Sequence, residues 1–315
     1  MNIMIVTNSK YLGPTYIMLY SLFVNHTGIL MDVYLPYEDL SGQELMELQK
    51  FVEGFSGKKL YPLYVGTAFK QKVVSRNGIN VETYYRILGI DLLPPALERI
   101  LYLDVDMVIK GSLMDLYQKD IENRPFAVCE DIYGKINGFH EANKRRLGIP
   151  GGYSYFNAGV MLYNVSYLRA HDAASRMLEA IYRDYTRYEY NDQDVMNELY
   201  YDKLLYVGWD EYNCPPAWYF IDKESLGAGE LKFADYNLLQ NVADRDEFLK
   251  RYQNVTSHIY ENARIIHYMG NTKPWSATRE LTKVYDIFDQ SYLEAEFAMK
   301  RYRDAAGETG ESNNE

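Results

Sequence analysis

The first 65 residues alternate short apolar runs with segments of helical periodicity, and this alternation limits the folds open to the chain. Strands are predicted at 2–7, 29–35 and 59–65. A helix is predicted over 14–25, with Pro14 near its start, and a second helix begins at the capping-box spacing of Ser41 and Glu44 and runs to about Val52. Strands separated by helices require crossover connections. We therefore expect an α/β fold with a Rossmann-like, mainly parallel sheet and a ligand site at the carboxyl ends of the strands.

The rest of the chain continues this pattern without a break. Further strands are predicted at 99–104, 126–129, 155–163, 204–207 and 264–268. Helices are predicted at 82–89, 165–185, 193–200 and 277–303. No internal repeat and no linker rich in Gly, Ser or Pro divides the sequence, and the closing DAAGETGESNNE is polar and lacks aromatic residues. We expect one large domain at 1–275, a helical C-terminal extension at 276–303 and a disordered tail at 304–315.

Composition excludes several classes of protein. A chain of 315 residues, 47% of them hydrophobic, is long enough to bury a sizeable core. Its 33 Lys+Arg against 44 Asp+Glu give a net charge of −11, which argues against a nucleic-acid binder. Two cysteines, Cys129 and Cys214, are too few for a disulfide framework, and no apolar run reaches membrane-spanning length. The opening MNIMIV resembles a strand rather than a signal peptide, so we expect a cytoplasmic protein.

The segment LYLDVDMVI is the most informative motif. Asp104 and Asp106 lie where an apolar strand ends, and because side chains alternate along an extended chain, both carboxylates point the same way. Two carboxylates that close repel each other unless a cation lies between them. A hard divalent ion such as Mn²⁺ or Mg²⁺ fits this requirement. The alternative interpretation is a strand that ends in a polar turn.

A second polar cluster, HYMGNTKPW, follows the predicted strand at 264–268. His267 could complete a metal site as a neutral imidazole, Gly270 permits close approach of the backbone to a ligand, and Lys273 offers a point charge to a phosphate. The alternative is a structural histidine.

Two further segments place polar groups among apolar ones. Asn157 and Asn164 lie in the strand-like YFNAGVMLYN. NDQDVMN brings acid and amide groups to a helix start, where Asp192 or Asp194 would, taken alone, be interpreted as a helix cap.

Together, LYLDVDMVI, YFNAGVMLYN, NDQDVMN and HYMGNTKPW resemble glycosyltransferase family 8, which includes bacterial lipopolysaccharide galactosyl- and glucosyltransferases and glycogenin. The likeness spans about residues 1–275. It implies a single GT-A-type nucleotide-diphospho-sugar transferase domain that uses Mn²⁺, with Mg²⁺ as the alternative ion. It further implies transfer of glucose or galactose from a UDP-hexose to a carbohydrate or lipid-linked glycan, with retention of the anomeric configuration.

The resemblance also implies roles for individual residues. Asp104, Asp106 and His267 would hold the metal. The donor nucleotide would meet a larger set: Thr7, Asn8, Tyr11, Arg86, Asp104, Val105, Asp106, Gly270 and Lys273. The catalytic, sugar-facing groups would be Asn157, Asp131, Asp192 and Gln193, with Gln193 near the β face of the anomeric carbon.

The chain departs from the family at its first loop. The family often has an acidic residue there, which accepts the uracil N3–H, whereas this chain has Thr7 and Asn8. The amide oxygen of Asn8 is then the expected acceptor, and Tyr11 is expected to stack on the base. For the chemistry, we favour attack by the acceptor from the leaving-group face, and Asp192 or Asp194 as a nucleophile is the alternative.

Two other functions remain open at this stage. Asp104 and Asp106 also fit the motif of haloacid-dehalogenase-like phosphatases, with the weak Asp244-Arg245-Asp246 as the later acidic pair. A non-catalytic protein that binds a sugar nucleotide or glycan is the other alternative. The basic and aromatic residues of 278–303 resemble membrane-contact segments of related enzymes, but interleaved acids favour a packing helix, so we expect at most peripheral contact with the inner face of a membrane. Among the 32 tyrosines, four are candidates for stacking on acceptor sugars: Tyr133, Tyr153, Tyr190 and Tyr219.

Overall fold

A computed structural model describes residues 1–73, 81–136, 139–216, 260–270, 273–275 and 287–307. Nine strands lie in this part of the chain: β1 (Asn2–Met4), β2 (Met31–Tyr37), β3 (Lys58–Tyr64), β4 (Arg99–Leu103), β5 (Met107–Ile109), β6 (Phe126–Glu130), β7 (Phe156–Asn164), β8 (Leu205–Val207) and β9 (Ile265–His267). Seven of them form one sheet in the order β3-β2-β1-β4-β7-β6-β8. Every described pair in this sheet is parallel except those that involve β7. The predicted α/β class and the mainly parallel sheet are confirmed.

The helices of the described residues cover both faces of the sheet. They are α1 (Leu12–Val24), α2 (Gly42–Glu53), α3 (Tyr85–Leu92), α4 (Met114–Tyr117), α5 (Ile132–Ile136), α6 (Phe139–Leu147), α7 (Val165–Ala170), α8 (Ala173–Asp184), α9 (Asn191–Tyr200), α10 (Trp209–Tyr212) and α11 (Ile287–Ala305). The predicted capping box is present: Glu44 N–H donates to Ser41 Oγ at 3.2 Å, and Ser41 N–H donates to Glu44 Oε2 at 2.7 Å. Within this part of the chain, no helix is both long enough and apolar enough to cross a membrane.

Strand side chains alternate between two buried clusters, one on each face of the sheet. Ile3 and Leu101 enter the cluster that α1 and α2 cover. Met4 and Tyr102 enter the opposite cluster, beneath α3, α7, α8 and α9. Because successive strand residues point to opposite faces, this alternation fixes which way the polar residues at the strand ends point.

The predicted helix over 165–185 is wrong, because it is two helices. α7 ends at Ala170 and α8 begins at Ala173, and Asp172 between them has a φ of 50°, in the left-handed region. An aspartate tolerates this conformation better than most residues. The apolar periodicity continues across the break, which is why periodicity alone did not reveal it.

The antiparallel strand β7 brings its first residues to the edge where β4 ends. Leu103 pairs with Val160, and Asp104 N–H donates to the carbonyl of Gly159 at 2.8 Å. The small sheet of β5 and β9 adjoins this edge, with Met107 opposite His267. Three separate segments therefore meet at one edge of the large sheet.

The C-terminal helix α11 packs against the N-terminal half of the domain. The Tyr302 ring stacks on Phe55 at 4.4 Å between ring centroids, and it also contacts Tyr20 and Phe51. At its other end Tyr292, 2% exposed, meets the rings of Tyr268 and Trp275. The helix ends at residue 305, two residues past the predicted boundary at 303, and residues 276–286 and 308–315 lie outside the described part.

Candidate active site

Three side chains that could bind a metal ion converge where β4 and β9 end. Asp104, Asp106 and His267 each offer one ligand atom, and these atoms lie within 4.8 Å of one another. The His267 Nε2 atom is 3.2 Å from Asp106 Oδ1 and 3.7 Å from Asp104 Oδ2. Val105 between the aspartates is buried in the core, so its side chain anchors the loop while both carboxylates face His267. The sequence-based expectation that these three residues meet is confirmed, and two oxygens and an imidazole suit a divalent cation such as Mn²⁺.

Lys273 lies beside this cluster on the segment after β9. Its Nζ donates to Asp106 Oδ2 and, at 2.7 Å, to the carbonyl of Tyr268. Burial opposes ionisation of Asp106, but the Lys273 ammonium group beside it holds its pKa well below the usual range. Gly270 has a φ of 75°, in the left-handed region that favours glycine.

Arg86 joins the metal-ligand cluster to the predicted sugar-facing groups. Its Nη2 lies 3.0 Å from Asp104 Oδ1, its Nε lies 3.0 Å from Asp192 Oδ2, and its Nη1 donates to the carbonyl of Ala158 at 2.6 Å. Burial would lower the pKa of Arg86, but the two carboxylates raise it above the ordinary value. Tyr102 OH donates to the same Asp104 oxygen at 2.6 Å. Arg86 therefore holds two carboxylates of the site in place.

His267 lies directly over β7 because residue 159 is glycine. A Cβ at Gly159 would lie 2.3 Å from His267 Cε1 and 2.9 Å from Asn157 Oδ1, closer than atoms can approach. The other ring nitrogen, Nδ1, lies 2.7 Å from Asn213 Oδ1. The Asn-Ala-Gly triplet at 157–159 thus leaves space for the imidazole.

A chain of side-chain amides runs from His267 to Asp131. Asn213 Nδ2 donates to Asn157 Oδ1 at 3.0 Å, and Asn157 Nδ2 donates to Gln193 Oε1 at 3.2 Å. At the far end of the chain, Gln193 Nε2 donates to Asp131 Oδ2 at 3.4 Å. This chain contains four predicted site residues, Asn157, Gln193, Asp131 and His267. Asn213, which the sequence did not single out, links His267 to the other three.

Two buried carboxyl groups of the site have raised pKa values. Burial raises the pKa of Asp131 to about 6, although the Gly134 N–H and Gln193 oppose the shift. Burial likewise raises the pKa of Asp192 to about 6, against the opposing effect of Arg86. Shifts of this kind gather at functional sites, where burial and specific partners act together.

Asp194, one of the two alternative nucleophiles, is fixed by other contacts. It is fully buried and accepts hydrogen bonds from Tyr155 OH at 2.5 Å and from Tyr190 N–H at 2.9 Å. Arg146 Nη1 pairs with it at 2.9 Å. Asp194 therefore joins α6 and Tyr155, the residue before β7, to the start of α9. It accepts from the N–H of the N-cap residue but is not itself the N-cap, which is Tyr190. Asn164 is likewise structural, since its Oδ1 accepts from Tyr167 N–H at 2.9 Å and caps α7.

The first loop differs in detail from its expected role. Asn8 Oδ1 accepts from the backbone N–H groups of Lys10 at 3.1 Å and Tyr11 at 3.2 Å. Both lone-pair positions of this oxygen therefore serve the backbone, and the expectation that it accepts from uracil is not supported. Thr7 Oγ1 lies 2.7 Å from Thr15 Oγ1 and is buried, so it holds the loop from inside. Tyr11 packs edge-on against Trp275 at 6.2 Å.

The structure describes the side chains of two of the four tyrosines that we considered for sugar stacking. Tyr153 is 41% exposed and packs edge-on against Tyr201 at 4.8 Å. Tyr190 precedes α9 as its N-cap. Tyr219 and the Tyr133 side chain lie outside the described part, as do residues 244–246.

Comparison with known proteins shows which proteins the chain is similar to. The family model described as glycosyl transferase family 8 matches residues 2–279. A lipopolysaccharide 1,2-glucosyltransferase of Escherichia coli is 25% identical over 277 residues, which cover 87% of this chain and 72% of that protein. The glycosyltransferase GlyA of Streptococcus pneumoniae is 23% identical over 83% of this chain. The chain spans less than two thirds of several curated relatives, including 64% of a Haemophilus influenzae protein and 29% of GlyA.

Solved structures show the same architecture. The galactosyltransferase LgtC, in complex with donor and acceptor sugar analogues, matches with a TM-score of 0.71 at 20% identity, over 95% of this chain and 96% of that one. GlyE of Streptococcus pneumoniae matches with a TM-score of 0.60 at 14% identity, over 100% of this chain and 65% of that one. At these identities the likeness shows the fold, which is of the GT-A type.

Proposed function

Because the chain belongs to glycosyl transferase family 8, we propose that it is a metal-dependent, retaining glycosyltransferase that moves a hexose from a UDP-sugar to a glycan. The observation that carries this proposal is the convergence of Asp104, Asp106 and His267 beside Lys273. Two carboxylates and an imidazole provide a divalent-ion site, and the adjacent ammonium group adds a positive charge for a phosphate.

The residues present fit a bound divalent cation. Asp104, Asp106 and His267 would hold it, and when bound it supplies charge neutralisation for the leaving diphosphate as a Lewis acid. Lys273 would move from Asp106 toward the diphosphate and stabilise the same developing charge.

The partners of the site's carboxylates support attack from the leaving-group face. Asp192 is paired with Arg86, and Asp194 with Arg146 and Tyr155. The Gln193 carboxamide oxygen accepts from Ala158 N–H at 3.0 Å and is a poor nucleophile. A carboxylate held by an arginine or inside the core is badly placed to form a covalent bond with the anomeric carbon, so the acceptor oxygen itself is the favoured nucleophile.

The remaining site residues would bind and orient the sugars. Asn157 and Gln193 are partly exposed and hydrogen-bonded to each other, so their positions are fixed before a ligand arrives. Asp131, at the end of the amide chain, would accept a hydrogen bond from a hydroxyl group of the donor or acceptor sugar. The hexose is glucose or galactose, and the acceptor is a carbohydrate or a lipid-linked glycan of the lipopolysaccharide type, as the name of the Escherichia coli relative suggests.

Nucleotide release from a panel of sugar nucleotides tests the proposal. Purified protein is incubated with UDP-glucose, UDP-galactose and a GDP-hexose, each with Mn²⁺ or with a chelator. We expect release from a UDP-hexose with Mn²⁺ only, and loss of this release in Asp106→Asn. Asp202→Asn, which changes an exposed aspartate, is the matched control and should retain full release.

Other outcomes would favour the alternatives. UDP-sugar binding without turnover in the presence of glycans would indicate a non-catalytic binding protein. Metal-dependent release of inorganic phosphate from aryl phosphates would indicate the phosphatase, for which membership of family 8 leaves no support. Release from the GDP-hexose alone would refute the UDP assignment, and an inverted anomeric centre in the product, detected by proton NMR, would refute retention.

A further inference from the structure

The two ring nitrogens of His267 face different groups: one faces the candidate metal-binding carboxylates, and the other faces a side-chain amide. Nε2 faces Asp106 and Asp104, at 3.2 Å and 3.7 Å, while Nδ1 faces Asn213 Oδ1 at 2.7 Å. A neutral imidazole carries one proton, and the nitrogen that carries it cannot bind a metal. The group that decides where this proton lies therefore decides whether His267 can serve as a ligand.

Backbone groups fix the orientation of the Asn213 amide. The N–H of Gly159 can only donate, and it donates to Asn157 at 2.9 Å, so the atom facing it is the Asn157 oxygen. This same oxygen lies 3.0 Å from Asn213, which must present its NH₂ group there. The Asn213 oxygen is then the atom that faces His267. The assignment follows from a main-chain donor, so it does not depend on telling amide oxygen from nitrogen.

A second main-chain donor gives the same answer further along the chain of amides. Ala158 N–H donates to Gln193 at 3.0 Å, which identifies the Gln193 oxygen. That oxygen faces the Asn157 NH₂ group at 3.2 Å, in agreement with the first assignment. Every amide from His267 to Asp131 is thus oriented in one direction.

We propose that Asn213 is the positioning residue that fixes the tautomer of His267, by holding the ring proton on Nδ1 so that Nε2 stays open toward Asp104 and Asp106. Without the Asn213 acceptor, the acceptors that face the ring in the described residues would be the two carboxylates. They would draw the proton to Nε2, where the cation has to bind. The link to catalysis rests on the proposed function, whereas the tautomer itself does not.

The backbone around Asn213 supports this role. Asn213 is 1% exposed and immediately precedes Cys214, which forms an isolated bridge with Ile266 in β9. His267 N–H donates to the Cys214 carbonyl at 2.9 Å, and Cys214 N–H donates to the Ile265 carbonyl at 3.1 Å. The acceptor and the imidazole therefore lie on two backbone segments that are hydrogen-bonded to each other.

The first test is ¹⁵N NMR of the histidine rings in the metal-free, donor-free protein at about pH 9, where an ordinary imidazole is neutral. Loss of one set of signals in His267→Gln assigns this ring among the five histidines. We expect the proton on Nδ1 in the wild-type protein and on Nε2 in Asn213→Leu. A wild-type His267 with its proton on Nε2 would overturn the proposal, whether or not any variant folds.

The second test uses calorimetric titration with Mn²⁺ and a variant in which a carboxylate replaces the Asn213 amide. Asn213→Asp keeps an acceptor for Nδ1–H but loses the donor to Asn157. We expect it to retain the tautomer and the Mn²⁺ affinity while turnover falls, whereas Asn213→Leu should lose about 10- to 100-fold in Mn²⁺ affinity. Equal Mn²⁺ affinity in a folded Leu variant and the wild type would overturn the proposal. If the wild-type protein carries its ring proton on Nδ1 but releases no UDP, the proposed function is refuted and the tautomer assignment stands.

Discussion

Gly159→Ala should damage the metal site by one methyl group, although residue 159 binds nothing itself. The new Cβ would lie 2.3 Å from His267 Cε1 and 2.8 Å from His267 Nδ1. Ordinary contacts between such atoms begin at 3.4 Å, so one of the two partners must retreat by about 1 Å. Gly159 lies in the buried strand β7, and its own carbonyl accepts from Asp104 N–H at 2.8 Å. The imidazole, held by fewer bonds, is therefore the group expected to move.

The displacement has a magnitude that two assays can measure. A retreat of about 1 Å takes Nδ1 away from Asn213 and Nε2 out of line with Asp106, and misplacement of this size can cost about 100-fold in turnover. Loss of the ring's hydrogen-bonded support should lower Mn²⁺ affinity by about 10- to 100-fold in calorimetric titration. Overpacking should cost about 1–3 kcal/mol of folding free energy, so thermal unfolding should show a fall of a few degrees.

A matched control separates the local effect from general overpacking. Gly54→Ala places a Cβ 3.0 Å from Tyr302 Oη, a tight contact remote from the site, and Gly54 has an ordinary helical φ of −64°. We expect this variant to bind Mn²⁺ and release UDP like the wild type. Wild-type Mn²⁺ affinity and UDP release in Gly159→Ala would refute the reasoning, since the ring would then have found room that the structure does not show.

Three other perturbations have distinct expected outcomes. Lys273→Met should lower kcat in the UDP-release assay by about 10²–10³-fold, and a change in KM alone would contradict its role in stabilising the leaving diphosphate. His26 is buried, with Nδ1 at 2.7 Å from the Leu22 carbonyl and Nε2 accepting from Leu113 N–H at 2.8 Å, and burial lowers its pKa. At this residue the unfolded state then binds more protons, so the contribution of His26 to stability should fall as pH drops below about 6.5. In urea unfolding, the stability of the wild type relative to His26→Gln should fall over this range, and a difference that does not change with pH would contradict it. Asp194→Asn should destabilise the fold by about 3 kcal/mol through its broken buried ion pair and leave Mn²⁺ affinity unchanged, whereas weaker Mn²⁺ binding would place Asp194 in the site.

Local sequence signals predicted the helices and strands that are specified by residues within the same segment. The capping box at Ser41 and Glu44 identified α2, and apolar runs located the strands of the large sheet. Asp104 and Asp106 could be paired in advance because they follow an apolar strand. Grouping His267 with them relied on imidazole chemistry and the family resemblance, since β9 lies outside the large sheet. The helix, the strands and the aspartate pair depend on neighbours within a few residues, which is the range over which a single sequence is informative.

Features set by distant contacts could not be predicted in this way. Nothing in YFNAGVMLYN indicates that β7 runs antiparallel, yet this direction brings Gly159 under His267. Asn213 lies in an unremarkable stretch, and its importance comes from partners at positions 157 and 267. Asn8 caps a short helical turn at Ser9–Tyr11, and the sequence of these three residues gives little indication that they form a helix. In each case the decisive partner is fixed by tertiary structure.

The packing of α11 on the first two helices has a consequence for how the chain is made. Phe55 and Tyr20 leave the ribosome well before Tyr302, whose ring covers them and which follows Phe55 by 302 − 55 = 247 residues. At ordinary translation rates this aromatic surface stays uncovered for tens of seconds. Nascent chains released before α11 should therefore be the species that chaperones capture. The domain acquires its full core only after α11 has been synthesised.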